Sequence, residues 1–297
     1  MGTVPFFRGA FTLIEMLIVI SILMILAAAA ANVMRPALDG RRVREAARAV
    51  NVYLSSARNR AMETGRPCGV ILRRFNNTPA VMNLDQCEVP ACYSGDSAQV
   101  TCNGATVTAT LDVAPQEGVV NGGDLVQFNY QGPLYMIPPT AGKVTTATIT
   151  ASLYTSQDQA IPWSGQSVPY RIFRSPSKVA TFSLQAQPLQ LPAASIVDLN
   201  ASSVDGGPLF STSTTDVKIT FSPNGSVDRV YINDVPVSAS QPIFLLIGKY
   251  EQLGNNEQDL TNFWVAINPQ TGLVTTDMVA SGDSRQFARD AQGMGGK

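Results

Sequence analysis

A single carboxylate, Glu15, stands at the fifth position of an apolar run, FTLIEMLIVISILMILAAAAA, that fills residues 11–31. A run of this length suits a helix that spans a bilayer. A charge inside such a run is disfavoured by roughly 2.5–3.5 kcal/mol near a helix centre, so an ionisable group kept there is expected to have a partner and a task. Ahead of the run lies a ten-residue leader, MGTVPFFRGA, whose only charge is Arg8 and whose last two residues, Gly9 and Ala10, are small. A secretory signal peptide has a shorter apolar core and carries its small residues after it. Here that order is reversed, and a plain anchor would have no use for Glu15.

The rest of the chain offers little catalytic chemistry. It has no histidine, which removes the commonest general base and metal ligand and excludes Ser-His-Asp and Cys-His catalysis. Ser175-Pro176-Ser177-Lys178 matches S-x-x-K, but its internal proline and the lack of a following helix argue against the geometry that motif needs. Asn255-Asn256-Glu257-Gln258-Asp259 is rich in oxygen ligands, yet lacks calcium-loop spacing and reads better as a polar loop. Asn76, Asn200 and Asn224 head glycosylation-type sequons of chance frequency. No enzyme activity, cofactor or metal is expected.

Four cysteines, Cys68, Cys87, Cys92 and Cys102, fall within 35 residues. Beyond a membrane anchor whose leader lies inside, this region is on the oxidising side, where disulfides persist. No CxxC spacing is present, which argues against zinc. Of the three pairings open to four cysteines, hairpin geometry favours one. Residues 68–72 read as a strand and Asn76-Asn77 as its turn, which brings Cys87 back to Cys68. Cys92 and Cys102 flank Ser94-Gly95-Asp96-Ser97, a second turn signal. The expected bridges are Cys68–Cys87 and Cys92–Cys102.

The elements that hold these residues follow from periodicity. The first helix is expected to continue past the apolar run, with a kink or melted turn near Pro36 and Gly40. Beyond them Val43, Ala47, Val50, Leu54, Ala57 and Ala61 form one apolar stripe at helical period. Arg41, Arg42, Arg44, Arg48, Arg58 and Arg60 occupy other faces. Gly65 supplies the C-cap and Pro67 prevents resumption. Short β-type segments between turn residues follow, among them 106–111, 125–130, 144–154, 217–221, 227–232, 243–247 and 263–267. The expected class is α+β: a long N-terminal transmembrane helix packed by its outer half on an antiparallel β-sheet domain. Its divisions are a leader (1–10), a transmembrane and assembly helix (11–34), an outer amphipathic helix (35–65), a β-rich domain (66–284) and a loose tail (285–297).

The stretch Arg8-Gly9-Ala10-Phe11-Thr12-Leu13-Ile14-Glu15 resembles the cleavage and N-methylation signal of type IV prepilins and type II secretion pseudopilins. The resemblance implies cutting between Ala10 and Phe11 by a prepilin peptidase and methylation of Phe11. It also implies pairing of Glu15 with the Phe11 amine of a neighbouring subunit. The usual residue before the cut is Gly; here it is Ala10. Ala57-Arg58-Asn59-Arg60-Ala61 followed by Gly65-Arg66-Pro67 resembles the H-type minor pseudopilin and the fimbrial T minor pilin. Phe221-Ser222-Pro223-Asn224-Gly225 and the hairpin around Pro269-Gln270-Thr271-Gly272 are similar to two later pieces of that group. The middle region, about 75–215, is longer than the group carries, and a second folded unit there is open.

By this resemblance the chain is a minor pseudopilin of a type II secretion system, assembling through its helix into a pseudopilus for protein export. It would be a single-pass protein of the inner membrane, with its leader in the cytoplasm and its C-terminal domain in the periplasm. Its implied partners are the peptidase, other pseudopilins or pilins, and the secretion machine's assembly platform. Two alternatives stand beside this: a type IV minor pilin in surface fibres or DNA uptake, and a membrane-tethered β domain with its own ligand or activity. Nucleic acid is the weaker expectation. A net charge of −1 with 14% charged residues gives no broad basic surface.

Overall fold

The computed structural model describes residues 12–155, 164–179 and 187–293, without the side chains of 29–38 and 96. Helix α1 (Leu13–Thr64) runs unbroken for 52 residues, on the order of 80 Å at ~1.5 Å per residue. The break expected near Pro36 and Gly40 does not occur: the backbone stays helical through both. Asp39 and Arg42 pair at 3.4 Å across Gly40, one turn apart on the helix surface. Gly65 ends the helix as expected, at φ 65° with its N–H on the Ala61 carbonyl.

Two strands follow, β1 (Cys68–Arg74) and β2 (Ala80–Glu88), joined through Asn76 and Asn77, both at positive φ. The chain then leaves the sheet for β3 (Tyr93–Asn103), β4 (Thr106–Leu111), β5 (Val120–Asn121), β6 (Leu125–Phe128) and β7 (Leu134–Met136). It continues through β8 (Lys143–Val144), β9 (Thr148–Leu153) and β10 (Gln166–Phe173). Two short pieces, β11 (Ser177–Lys178) and β12 (Leu189–Gln190), return along β2. β13 (Ser195–Val204), β14 (Val217–Phe221), β15 (Val227–Ile232), β16 (Val235–Val237) and β17 (Ile243–Lys249) rejoin the sheet. β18 (Phe263–Ile267), β19 (Val274–Met278) and the short helix α2 (Gln286–Ala291) complete the chain.

The main sheet is antiparallel, in the order β16-β15-β14-β1-β2-β13-β17-β18-β19. The stripe read from the sequence is its helix contact: Val43, Ala47, Val50, Leu54, Ala57 and Ala61 are all buried, with Ala46 beside them. They meet Val70, Leu72, Ile219, Leu245 and Val265 in one core. The four alanines let the backbone come close to the sheet, and Leu54 fills the gap between strands. The middle region is a second folded unit. β10-β3-β4-β9-β7-β6 close into a six-stranded barrel around its own core of Val100, Val107, Phe128, Tyr135, Ile149 and Tyr170. Along β4 and β9 buried and exposed residues alternate, as closure around a packed interior requires.

The tail is not loose where it is described. Ala288 of α2 is buried against Phe244, Leu246 and Trp264 on the sheet face away from α1. Arg285 stacks over Trp264 and Phe244, 5.0 and 5.3 Å from the ring centres. Arg289 pairs with Asp205 at 3.1 Å, and the Gln292 amide donates to Thr275 Oγ1 at 2.7 Å. One buried alanine carries little apolar signal; cation–π contacts, which need partners distant in sequence, hold the segment.

Three sequence pieces far apart in the chain meet at one arginine. Arg58 Nε donates to the Gly225 carbonyl at 3.0 Å. Gly272, at φ 63°, is packed so closely that an added Cβ would lie 1.9 Å from that same carbonyl and 3.0 Å from Arg58 Nε. The turn after β14, the turn after β18 and the helix are thus clasped together. Gly272→Ala is expected to cost about 2 kcal/mol or more, from strained φ and a backbone collision. Gly104→Ala, at φ 61° with open space around it, carries only the conformational part, about 1–2 kcal/mol. Denaturant unfolding of the two variants checks the difference; equal losses would show that the clasp is not tight.

Candidate assembly helix

Thr12 is the N-cap of α1, in extended conformation at φ −79° and ψ 150°. Its Oγ1 accepts the Glu15 amide at 3.3 Å. Thr12-Leu13-Ile14-Glu15 is therefore the T-x-x-E spacing of a capping box, a signal present in the sequence that the reading of Glu15 as an assembly residue passed over. Glu15 lies in the first turn, where the helix dipole favours negative charge. Beyond it every large apolar side chain from Leu13 to Leu26 is exposed, between 47% at Val19 and 84% at Leu13. The one hydroxyl among them, Ser21, bonds the Leu17 carbonyl at 2.8 Å. This half of α1 is a rod apolar on all sides, with one carboxylate at its tip. Such a surface is stable only against lipid or other protein.

Among the described residues no helix is long and apolar enough to cross a membrane. Phe11 and the side chains at 29–38, which belong to the expected span, lie outside them, as does the Ala10–Phe11 bond. Residues 7–31 match the prokaryotic N-terminal methylation motif. The motif indicates the type IV pilin and pseudopilin class. In proteins of this class it is the prepilin peptidase cleavage site, which implies peptidase and pilin partners. No curated protein matches the chain.

The arginines of the outer half of the helix are divided: Arg41, Arg42, Arg44 and Arg48 are exposed, and Arg58 and Arg60 are half-buried. Arg58 is committed to Gly225, Arg60 pairs with Glu88 at 3.6 Å, Arg42 pairs with Asp39, and Arg44 lies 5.8 Å over the Phe263 ring. Asn51 reaches across to Thr276 Oγ1 at 2.9 Å. Arg44, Arg58 and Arg60 thus fasten the helix to the β domain.

The two expected disulfides are not formed; all four cysteines are free thiols. In the β1–β2 ladder Cys87 lies opposite Gly69, and Cys68 opposite Glu88. The hairpin is present, but its register is one residue away from the expected pairing. Alternation along a strand then sends Cys68 and Cys87 to opposite faces of the sheet. For the second pair, Ser94-Gly95-Asp96-Ser97 is not a turn but lies within β3. Cys92 and Cys102 stand near opposite ends of that strand, on the order of 30 Å apart at ~3.3 Å per residue and far beyond bridging distance.

The polar loop at 255–259 uses its oxygens internally. Asp198, fully buried, accepts from the Gly254 amide at 2.9 Å and from Asn256 Nδ2 at 2.8 Å. Asp259 Oδ2 meets Lys249 Nζ at 2.8 Å, and Asn262 donates to the Asn256 carbonyl at 2.8 Å. No group of three metal-ligating side chains occurs among the described residues. Ser175 and Lys178 are not brought together: Lys178 Nζ pairs with Asp85 at 2.9 Å.

Two outcomes are expected. Under denaturing, non-reducing conditions all four thiols should react with iodoacetamide, whereas in the native protein Cys92 should be labelled first. Burial pushes the Cys87 thiol up to about 12 and raises Cys68 as well, so both should resist until the protein unfolds; peptide mass mapping reads the order. The second concerns Asp259. Burial would raise its carboxyl, but the Lys249 ammonium and the Thr261 hydroxyl and amide outweigh it and hold the group at about 2. A depressed folded value stabilises above the unfolded value, ordinarily near 3.9, and the contribution is lost as pH falls through about 2. The stability advantage of the wild type over Asp259→Asn should therefore be present at pH 6 and vanish near pH 2 in denaturant titrations.

Proposed function

We propose that this chain is a minor pseudopilin of a type II secretion system, with a structural rather than enzymatic role. The observation that carries the reading is the exposed apolar half of α1, with Glu15 capped at its tip directly after a prepilin-type motif. Before assembly this surface contacts inner-membrane lipid, with the leader in the cytoplasm and the β domain in the periplasm. In the pseudopilus it packs on the helices of neighbouring subunits, where van der Waals contact between helices replaces contact with lipid tails.

Cleavage between Ala10 and Phe11 creates a new amine. Glu15 of one subunit then meets the Phe11 amine of the next, and each charge offsets part of the other's burial cost. A slip of register would leave both unpaired, so the pair sets the axial step. Thr12 assists by ordering the first turn from which Glu15 projects. The resemblance of Ala57–Ala61, Phe221–Gly225 and Gly272 to the H-type group supports the finer assignment, because these pieces converge at Arg58. A type IV minor pilin is the second reading, supported by the same convergence through the fimbrial T group. The commitment of Arg42, Arg44, Arg58 and Arg60 within the fold weighs against DNA capture by that helix.

Intact mass of the membrane-extracted protein should show loss of residues 1–10 and a methyl group on Phe11. Glu15→Val should insert and fold normally but crosslink poorly to other pseudopilins and impair secretion, since a buried amine left without its counter-charge typically costs about 3–5 kcal/mol. Wild-type crosslinking and secretion by Glu15→Val would reduce the chain to an anchored β domain. Co-purification with a pilus retraction machine instead of secretion components would select the second reading.

A further inference from the structure

Where the barrel meets the end of the large sheet, a cavity of about 200 Å³ opens between them. Arg229 and Tyr231 of β15 and Pro236 of β16 line one side; Leu125, Phe173 and Arg174 line the other. Junctions between folded units are favoured places for small-molecule sites. The arginines here have unspent donors. Arg174 Nε is buried without a hydrogen-bond partner. Among the described residues neither Arg174 nor Arg229 lies within ion-pair distance of a carboxylate.

Two acids adjoin the cleft: Asp124 is tied to backbone amides, and Asp228 stands in the lining itself, beside Arg229. Asp124, fully buried, accepts the Asn121 amide at 2.8 Å and the Ser175 amide at 2.7 Å. The Thr220 hydroxyl lies 3.5 Å from Asp228 Oδ2 but 3.0 Å from the Arg229 carbonyl, its nearer acceptor, so Asp228 is only weakly held. Burial raises both carboxyls, offset in part by Arg174 at the first and by Arg229 at the second. A buried guanidinium donor left unmet is costly, and the guanidinium fork fits a carboxylate with two parallel bonds. Leu125, Phe173 and Pro236 form an apolar part of the wall that suits a hydrocarbon stem rather than a bare inorganic anion.

We propose that this cleft binds a compact organic carboxylate, its head held by Arg174 and Arg229 and its short apolar stem laid against Leu125, Phe173 and Pro236. The ligand is either a free small acid or the C-terminal residue of a polypeptide, which present the same chemistry. The proposal is independent of the assembly role of α1.

Isothermal titration of detergent-solubilised full-length protein tests it, with isocaproate, inorganic phosphate, and a leucine-ending peptide as free acid and as C-terminal amide. Isocaproate is expected to bind saturably. Arg174→Gln and Arg229→Gln should each weaken it at least about tenfold, and Arg174→Lys, which keeps charge but not the fork, by less. Displacement by the peptide acid but not its amide identifies a chain terminus as the source; binding of isocaproate alone identifies a free acid. The proposal is overturned if nothing binds saturably, or if phosphate binds as tightly as isocaproate. Undiminished binding by an Arg174→Gln/Arg229→Gln variant that melts like the wild type would overturn it too.

Discussion

The structure depends on one constraint: a single helix must satisfy two environments. From Val43 to Ala61 its apolar stripe is answered within the chain, by the inner face of the sheet. From Leu13 to Leu26 nothing among the described residues answers it. The outer half is therefore where the fold is built, and the inner half is the surface on which the proposed association depends. The two are joined by continuous helical backbone, which runs through Pro36 and Gly40 without a break.

The clasp at Arg58 makes this connection specific. A stripe of alanines alone would let a helix slide along a sheet, since small side chains interlock weakly. Arg58 reaching the Gly225 carbonyl, Asn51 reaching Thr276 and Arg60 reaching Glu88 fix the helix axially and rotationally. Each contact is worth on the order of 1 kcal/mol, but their value lies in direction: apolar burial decides that the helix packs, and the polar contacts decide where.

Legibility in the sequence followed the range of the interactions. Helix stripe, C-cap at Gly65 and the strands at 217–221 and 263–267 were readable because their signals are local: period, turn residue, β-branched run. The Asn76-Asn77 hairpin was readable for the same reason, but its register was not. Register depends on which residues pair across the ladder, and a one-residue offset reversed the conclusion about Cys68 and Cys87. Ser94-Gly95-Asp96-Ser97 was misread because turn-type residues also occur within a strand; Gly95 lies so close to Tyr170 and Asp112 that a side chain there would collide with both. The barrel could be suspected only as surplus length. Its closure joins β6 to β10, and no local pattern announces a partner forty residues away. At the tip of α1 the order was reversed: Glu15 was singled out for a long-range role, while its short-range one beside Thr12 went unread.

Closure of the barrel also decides how safely the surplus can be carried. An open sheet of the same length would end in strands with unmet amides and carbonyls, ready to recruit strands from other copies. Any protein whose exposed helix gathers many copies at close quarters raises the local concentration of everything attached to that helix. A ring of strands in which β6 closes on β10 has no such terminal ladder to offer. The middle region can thus enlarge the exposed surface of the β domain without adding an edge at which strands of other copies could pair.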